Sequence, residues 1–184
     1  MAGTLGRRLS RAALVAALLL AGCNSATTRE AFLAGFEPSG QRIHGYDRAA
    51  AVPYRPRLAS ADLAHVNSAV NAVPYRHDPR REWIPPRDFW QRGGDCEDYA
   101  LTKAAELKAA GRRGLWLAVL TDGPKGEAHA VLAADDGGEI VALDNQEPRP
   151  VPWQHIAAQY APAYIIDIEG GGVYRARGAG ISRR

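Results

Sequence analysis

The stretch Gly93-Gly94-Asp95-Cys96-Glu97-Asp98-Tyr99-Ala100 is the most informative part of this 184-residue chain. It sets a cysteine where a glycine pair turns into a predicted helix, and the glycines would leave room beside the thiol for a substrate backbone. A thiol attacks carbonyl groups as the thiolate, and the free N–H groups and positive dipole of a helix N-terminus favour that anion. Cys96 is therefore the candidate nucleophile of a hydrolase.

Two amphipathic helices flank this region. The first is predicted to begin at an N-cap, Ser60, and to end before Pro74, because its apolar residues recur every three or four positions: Leu63, Val66, Val70 and Val73. The second opens at Asp95 or Cys96 and ends at Ala110, where a glycine follows. The residues between the helices, 75–91, are predicted to form a loop.

Strands dominate the second half of the chain. Apolar runs at 115–120, 128–134 and 139–143 are separated by glycine-containing turns, which predicts an antiparallel meander. A short helix at 153–160 and a last strand at 164–168 follow. Helices first and sheet afterwards indicate an α+β fold, with the nucleophile at the start of a helix packed on an antiparallel sheet.

A nucleophilic thiol needs a base, and the base needs a group that orients it. His129 lies inside an apolar strand, whereas the other four histidines fall in predicted loops or on helix surfaces: His44, His65, His77 and His155. The next strand ends at Asp144, which a hairpin would bring beside His129. The alternatives remain a structural histidine and an ordinary turn aspartate.

The N-terminal residues have the pattern of an export signal. Arg7, Arg8 and Arg11 precede an apolar run at 12–20, which is too short to span a bilayer as a helix. The run closes on Leu20-Ala21-Gly22-Cys23, which resembles a bacterial lipobox. Residues 1–22 are therefore predicted to be a lipoprotein signal peptide and Cys23 to carry acyl chains, although an ordinary signal peptide is the alternative.

The charge of the chain excludes one class of partner. The leader carries three of the 23 basic residues and none of the 20 acidic ones, so the remaining chain is formally neutral. The basic pI reflects the leader and not a binding face, and nucleic acid is rejected as a partner. If Cys23 is lipidated, Cys96 is the remaining cysteine in an oxidising compartment, which favours a reactive thiol.

These residues together resemble the bacterial transglutaminase-like cysteine peptidases, whose best-known branch is the LapG-type periplasmic proteases that release biofilm adhesins. The resemblance extends from about Val66 to Asn145. Its most specific motif is Gly94 to Ala100, followed in order by Ala128-His129-Ala130-Val131-Leu132 and Leu143-Asp144-Asn145. Residues outside these motifs also match: Val66-Asn67, Val70-Asn71, Trp83, Pro86, Phe89 and Lys103.

The resemblance implies a papain-like fold in which Cys96 is the nucleophile, His129 the general base and acid, and Asp144 the residue that holds the imidazole. It implies hydrolysis of a peptide bond in an envelope or cell-surface protein through a thioester. In the LapG-type branch the two acidic residues beside the cysteine, here Asp95 and Glu97, are implicated in calcium binding. An inhibitory or sequestering membrane protein is a further partner that the resemblance implies.

Three other functions remain open at this stage. A cell-wall peptidase of the NlpC/P60 type also uses a cysteine at a helix start, although its usual motif is Asp-Cys-Ser-Gly, whereas Glu97 follows Cys96 here. A transglutaminase would resolve the same thioester with an amine. A binding module would keep the fold without catalysis.

The predicted organisation is a signal peptide at 1–22, a tether and irregular segment at 23–59, the catalytic domain at 60–169, and a flexible tail at 170–184. A lipid at Cys23 would hold the domain on a membrane facing the periplasm, and Asn24 favours the outer membrane by analogy with enteric sorting. The lipobox and the short domain are departures from the soluble LapG-type members.

Overall fold

The computed structural model describes residues 26–80 and 82–178. Within these residues the helices are α1 (Arg29–Ala34), α2 (His44–Ala50), α3 (Leu63–Asn71), α4 (Pro86–Arg92), α5 (Cys96–Ala109) and α6 (Trp153–Ala157). The strands are β1 (Phe36–Pro38), β2 (Leu115–Thr121), β3 (His129–Asp136), β4 (Glu139–Leu143), β5 (Val151–Pro152), β6 (Ala161–Asp167) and β7 (Val173–Ala176). No helix among the described residues is long and apolar enough to cross a membrane.

The strands form one antiparallel sheet in the order β1-β7-β6-β2-β3-β4-β5. The central strand β2 pairs with β3 on one side, where Leu117 faces Leu132, and with β6 on the other. The described sheet ends in β1 and β5, which are only three and two residues long and each finish in a proline. This arrangement confirms the predicted α+β class.

Both faces of the sheet are covered, which explains why β2 and β3 read as continuous apolar runs. Leu115 and Leu117 of β2 pack with the long helices α3 and α5. The residue between them, Trp116, packs on the opposite face against Phe32 of α1 and close to Trp153 of α6. Phe32 and Trp153 meet edge to face with ring centroids 4.9 Å apart. A sheet buried on two sides needs no polar alternation.

The long helices match the predicted positions closely. Helix α5 begins at Cys96 and ends at Ala109, one residue before the predicted end. Helix α3 is capped by Asp62, whose carboxylate accepts the backbone N–H of His65 at 2.6 Å, and not by Ser60. The Ser60 hydroxyl instead accepts the N–H of Asp62, so it forms the turn before the cap.

The predicted loop at 75–91 contains a helix that the sequence analysis missed. Helix α4 starts with Pro86, whose fixed φ and missing N–H suit the first helical position. Its Phe89 is fully buried and packs edge to face on Tyr99 of α5, with centroids 4.7 Å apart. Tertiary packing therefore stabilises a helix too short to form alone.

The segments predicted as a tether and a tail also contain regular structure. Strand β1, within 23–59, pairs with β7, within 170–184, and Glu37 lies opposite Arg175. The Arg175 Nε donates to the Glu37 carboxylate at 2.7 Å. Strand β7 also pairs with the preceding strand β6, but the partner of β1 comes from the other end of the chain, so local sequence could not predict β1. The predicted signal peptide, Cys23 and residues 179–184 lie outside the described residues.

A buried carboxylate attaches the chain before α3 to the helix that carries Cys96. Glu106 of α5 is fully buried and accepts the backbone N–H groups of Arg57 at 2.9 Å and Leu58 at 3.0 Å. It also accepts the hydroxyl of Tyr54, which in turn accepts the indole N–H of Trp90 at 2.8 Å. One side chain thus satisfies donors that would otherwise be buried without partners.

We expect Glu106→Ala to lower the free energy of unfolding by about 3 kcal/mol, because it leaves several buried donors without an acceptor. Urea unfolding followed by circular dichroism measures this loss. The control is Glu37→Ala, which removes a more exposed ion pair to Arg175 and should lower the same free energy by less than about 1 kcal/mol. Equal losses in the two variants would contradict the role assigned to Glu106.

Candidate active site

The turn before α5 has no room for side chains at its two glycines. Gly93 has a φ of +68°, and a Cβ there would lie 2.3 Å from the carbonyl oxygen of Pro74. A Cβ at Gly94 would lie 2.4 Å from the carboxylate of Asp98. The glycines lie at the turn into the helix, as predicted, but the space beside them is filled by the Pro74 carbonyl and the Asp98 side chain and not left for a substrate backbone.

Asp98 fixes that starting point. Its carboxylate is fully buried and accepts the backbone N–H of Asp95 at 3.1 Å and that of Ile84 at 2.7 Å. The first bond belongs to a capping box, in which the Asp98 side chain accepts the N–H of the N-cap residue Asp95. The second bond attaches the chain at Trp83 and Ile84 to the start of the helix. Burial raises the pKa of Asp98, while these two backbone donors oppose the rise. Helix α5 consequently begins at Cys96.

His129 and Asp144 form a direct contact. The imidazole Nε2 lies 2.9 Å from Oδ1 of Asp144, and the two side chains are buried. The Asp144 carboxylate also accepts the backbone N–H of Gln146 at 2.9 Å, and the ring of Tyr160 lies 5.1 Å from the imidazole. Since Nε2 faces the carboxylate, the bound proton belongs on that nitrogen, and Nδ1 is left as the basic atom.

The thiol of Cys96 lies beside the start of β3. The backbone N–H of Ala130, the residue after His129, donates toward the sulfur, and Cys96 and His129 line the same cleft. The structure therefore brings the three sequence-predicted residues of the triad, Cys96, His129 and Asp144, to one place. They come from the first turn of α5, the first residue of β3 and the residue after β4.

The thiol has an acidic environment. Its Sγ donates to the Glu97 carboxylate at 3.2 Å. Burial raises the pKa of Cys96 most, and the charge of Glu97, its hydrogen bond and the charge of Asp95 raise it further. The N–H of Ala130 lowers the pKa, but it does not outweigh these contributions. In this arrangement the thiol is held in its neutral form.

Asp95 and Glu97 lie side by side, which is possible because the helix begins between them at Cys96. Burial raises the pKa of Asp95, and so do a hydrogen bond with Glu97 and the negative charges of Glu97 and Asp98. The Asp95 Oδ1 atom is buried and has no hydrogen-bond partner. An unpartnered buried oxygen next to a second carboxylate fits a hard cation such as calcium. The described residues contain no cluster of three or more His, Cys, Asp or Glu side chains arranged for a metal, so a bound ion would need further oxygen ligands.

The cleft around the thiol has a volume of about 750 Å³. Its walls include residues that the sequence analysis did not single out: Tyr75, Asp78, Glu127, Gln146 and Tyr164. They come from loops and neighbouring strands, so no local pattern marked them. Trp83, which matches the family pattern, lines the cleft and also packs edge to face on Tyr46 with centroids 5.8 Å apart.

A buried histidine and carboxylate beside a cysteine at a helix start define a cysteine hydrolase. Residues 47–164 match the model of the family described as bacterial transglutaminase-like cysteine proteinase. The match covers more than half of the chain, and the chain belongs to this family. The protein is a cysteine peptidase, which disfavours the binding module without catalysis.

Solved structures with a similar fold include three of LapG from Legionella pneumophila. The calcium-bound structure is 26% identical, with a TM-score of 0.56 over 92% of this chain and 91% of that one. An EGTA-treated structure has 26% identity and a TM-score of 0.55 over 73% of each chain. A third has 28% identity and a TM-score of 0.53 over 65% of this chain and 68% of that one. A comparison with curated proteins gives no match.

Proposed function

We propose that this protein cleaves a peptide bond in an envelope or cell-surface protein, with Cys96 as nucleophile, His129 as general base and acid, and Asp144 as the residue that orients the imidazole. The observation that carries the proposal is the 2.9 Å contact between His129 and Asp144 in the cleft that holds the Cys96 thiol. The family assignment supports the same reaction.

In the first half of the reaction, Nδ1 of His129 takes the thiol proton as the sulfur of Cys96 bonds to the scissile carbonyl carbon. The carbonyl oxygen becomes negative, and the backbone N–H of Cys96 is a suitable donor to it at the start of α5. The imidazolium then gives its proton to the leaving amine as the C–N bond breaks. A thioester between Cys96 and the acyl half of the substrate remains.

In the second half, His129 removes a proton from a water molecule as the water oxygen bonds to the thioester carbon. The C–S bond breaks, the acid product leaves, and the proton returns to the sulfur. Throughout, Asp144 keeps the proton of the imidazole on Nε2 and stabilises the imidazolium, which leaves Nδ1 free for both proton transfers.

We expect Cys96→Ser, His129→Ala and Asp144→Ala each to lower hydrolysis by at least about 10³-fold, because triad members act as a unit. The substrate is a proteome-derived peptide library, and mass spectrometry of the digest identifies the cleaved bonds. The matched control is His155→Ala, which removes a histidine paired with Glu147 outside the cleft. A Cys96→Ser protein that cleaves as fast as the parent would refute the mechanism.

The substrate class follows from the family resemblance, in which known members act on biofilm adhesins. A surface adhesin is the first candidate, and an inhibitory or sequestering membrane protein is the expected regulator. A pull-down from an envelope extract with Cys96→Ala, which binds but does not cleave, is the direct way to identify both.

We also propose that calcium activates the enzyme through Asp95 and Glu97. The unpartnered Oδ1 of Asp95 and the adjacent Glu97 carboxylate support the proposal, as does the acidic environment that raises the pKa of the thiol. When bound, calcium would supply positive charge that offsets these carboxylates. A Glu97 carboxylate bound to calcium would no longer accept the hydrogen bond from the thiol, and Cys96 would be free to give its proton to His129.

We expect added calcium to shift the pH profile of Cys96 alkylation by iodoacetamide to lower pH than in EGTA. The direction follows because the neighbouring carboxylates raise the thiol pKa, so neutralising them lowers it and increases the thiolate fraction at neutral pH. Glu97→Gln should produce a similar shift in EGTA and respond little to calcium. Identical profiles and cleavage rates of the parent in calcium and EGTA would refute calcium activation.

A last proposal concerns location. The lipobox ending at Cys23 supports a lipid anchor on a membrane that faces the periplasm, with the outer membrane favoured by Asn24. The intact mass of protein extracted from membranes should exceed that of the chain beginning at Cys23 by the mass of two or three acyl chains and their linker. A soluble product with an unmodified N-terminus would contradict the anchor.

A further inference from the structure

A lysine is buried beneath the triad, and the mechanism above does not use it. Lys103 lies two helical turns after Cys96 in α5, and its relative exposure is 0%. Its Nζ donates to the carbonyl oxygen of Leu143 at 3.3 Å. Leu143 is the last residue of β4 and directly precedes Asp144. The lysine thus connects the helix of the nucleophile with the strand end that carries the orienting carboxylate.

An ammonium group in this position is costly unless something balances it. Burial lowers the pKa of Lys103 to about 7, and the nearby Asp144 carboxylate acts in the opposite direction. The ring of Tyr99 provides a weak further contact at 6.0 Å from Nζ. An apolar side chain of similar length would fill the space without this cost, so packing alone does not explain a lysine here.

The peptide carbonyls on both sides of the Asp144 Cα are held by side chains from different helices. Lys103 of α5 binds the carbonyl of Leu143, and Asn71 of α3 donates to the carbonyl of Asp144 at 2.9 Å. Asn71 and Asn67 also donate to the carbonyl of Glu147 at 2.9 Å. With the backbone fixed in this way, the Asp144 carboxylate reaches both His129 and the N–H of Gln146.

We propose that Lys103 is a positioning residue for Asp144: its bond to the Leu143 carbonyl fixes the backbone that carries the Asp144 carboxylate, and so maintains the bond between Asp144 and His129. The inference rests on the proposed role of Asp144 in the triad. Lys103 does not contact the substrate, and its effect reaches the reaction only through the position of the imidazole.

The test variant is Lys103→Met, which keeps the length of the side chain and removes its donor and charge. We expect kcat on a cleaved library peptide to fall about 10-fold or more with KM unchanged within about twofold, because small misplacement of a catalytic group lowers the rate without weakening binding. In proton NMR, the low-field Nε2–H signal of His129, assigned by its loss in His129→Ala, should shift or broaden.

The matched control is Lys108→Met. Lys108 lies on the same helix and also donates to a backbone carbonyl, that of Ile168 at 2.8 Å, away from the cleft. This variant should keep the parent's kcat and imidazole signal. If Lys103→Met does not fold by circular dichroism, Lys103→Leu, which also removes the donor in a shorter apolar side chain, becomes the test variant with the same expected changes.

A parent-like kcat and imidazole signal in the folded Lys103 variant would overturn the inference, and so would equal losses in Lys108→Met. Asp144→Ala is assayed in parallel to separate the two proposals. If Asp144→Ala stays active, the proposed triad is wrong. If it is inactive while the Lys103 variant matches the parent, the triad stands and only the role of Lys103 is refuted.

Discussion

The buried carboxylate of Asp98 is the constraint on which the site depends. It accepts the backbone N–H of Asp95, which sets the residue at which α5 begins, and that of Ile84, which attaches the chain at Trp83 and Ile84 to the start of this helix. A start one residue earlier or later would turn the thiol of Cys96 away from β3, because successive helical residues point about 100° apart. The same starting point places the carboxylates of Asp95 and Glu97 next to the Cys96 thiol.

Two electrostatic effects oppose each other at this helix end. The helix dipole and the N–H of Ala130 favour a thiolate, whereas burial and the carboxylates of Glu97 and Asp95 disfavour it. The carboxylates act at shorter range, and Glu97 accepts a hydrogen bond from the thiol itself. The structure thus places the histidine–aspartate pair in the same cleft as a thiol that its surroundings hold in the neutral form.

The sequence predicted the elements that depend on local pattern and missed those that depend on distant partners. Helix α5 and strand β4 were placed within a residue of their observed ends, and the hairpin brought Asp144 to His129 as expected. Helix α4 was not predicted because its seven residues are too few to show a helical period. Its stability depends on the packing of Phe89 on Tyr99 of α5. Lys103 was noted only as part of the family resemblance, because its bond to the carbonyl of Leu143 joins residues 40 positions apart and local pattern does not predict it.

The short strands β1 and β5 that end the described sheet influence how an extended polypeptide can approach the protein. Each contains a proline, Pro38 and Pro152, which offers no N–H for a further strand, and neither is long enough to template one. Pairing of a second chain along these edges is therefore disfavoured, which protects the fold against edge-to-edge aggregation.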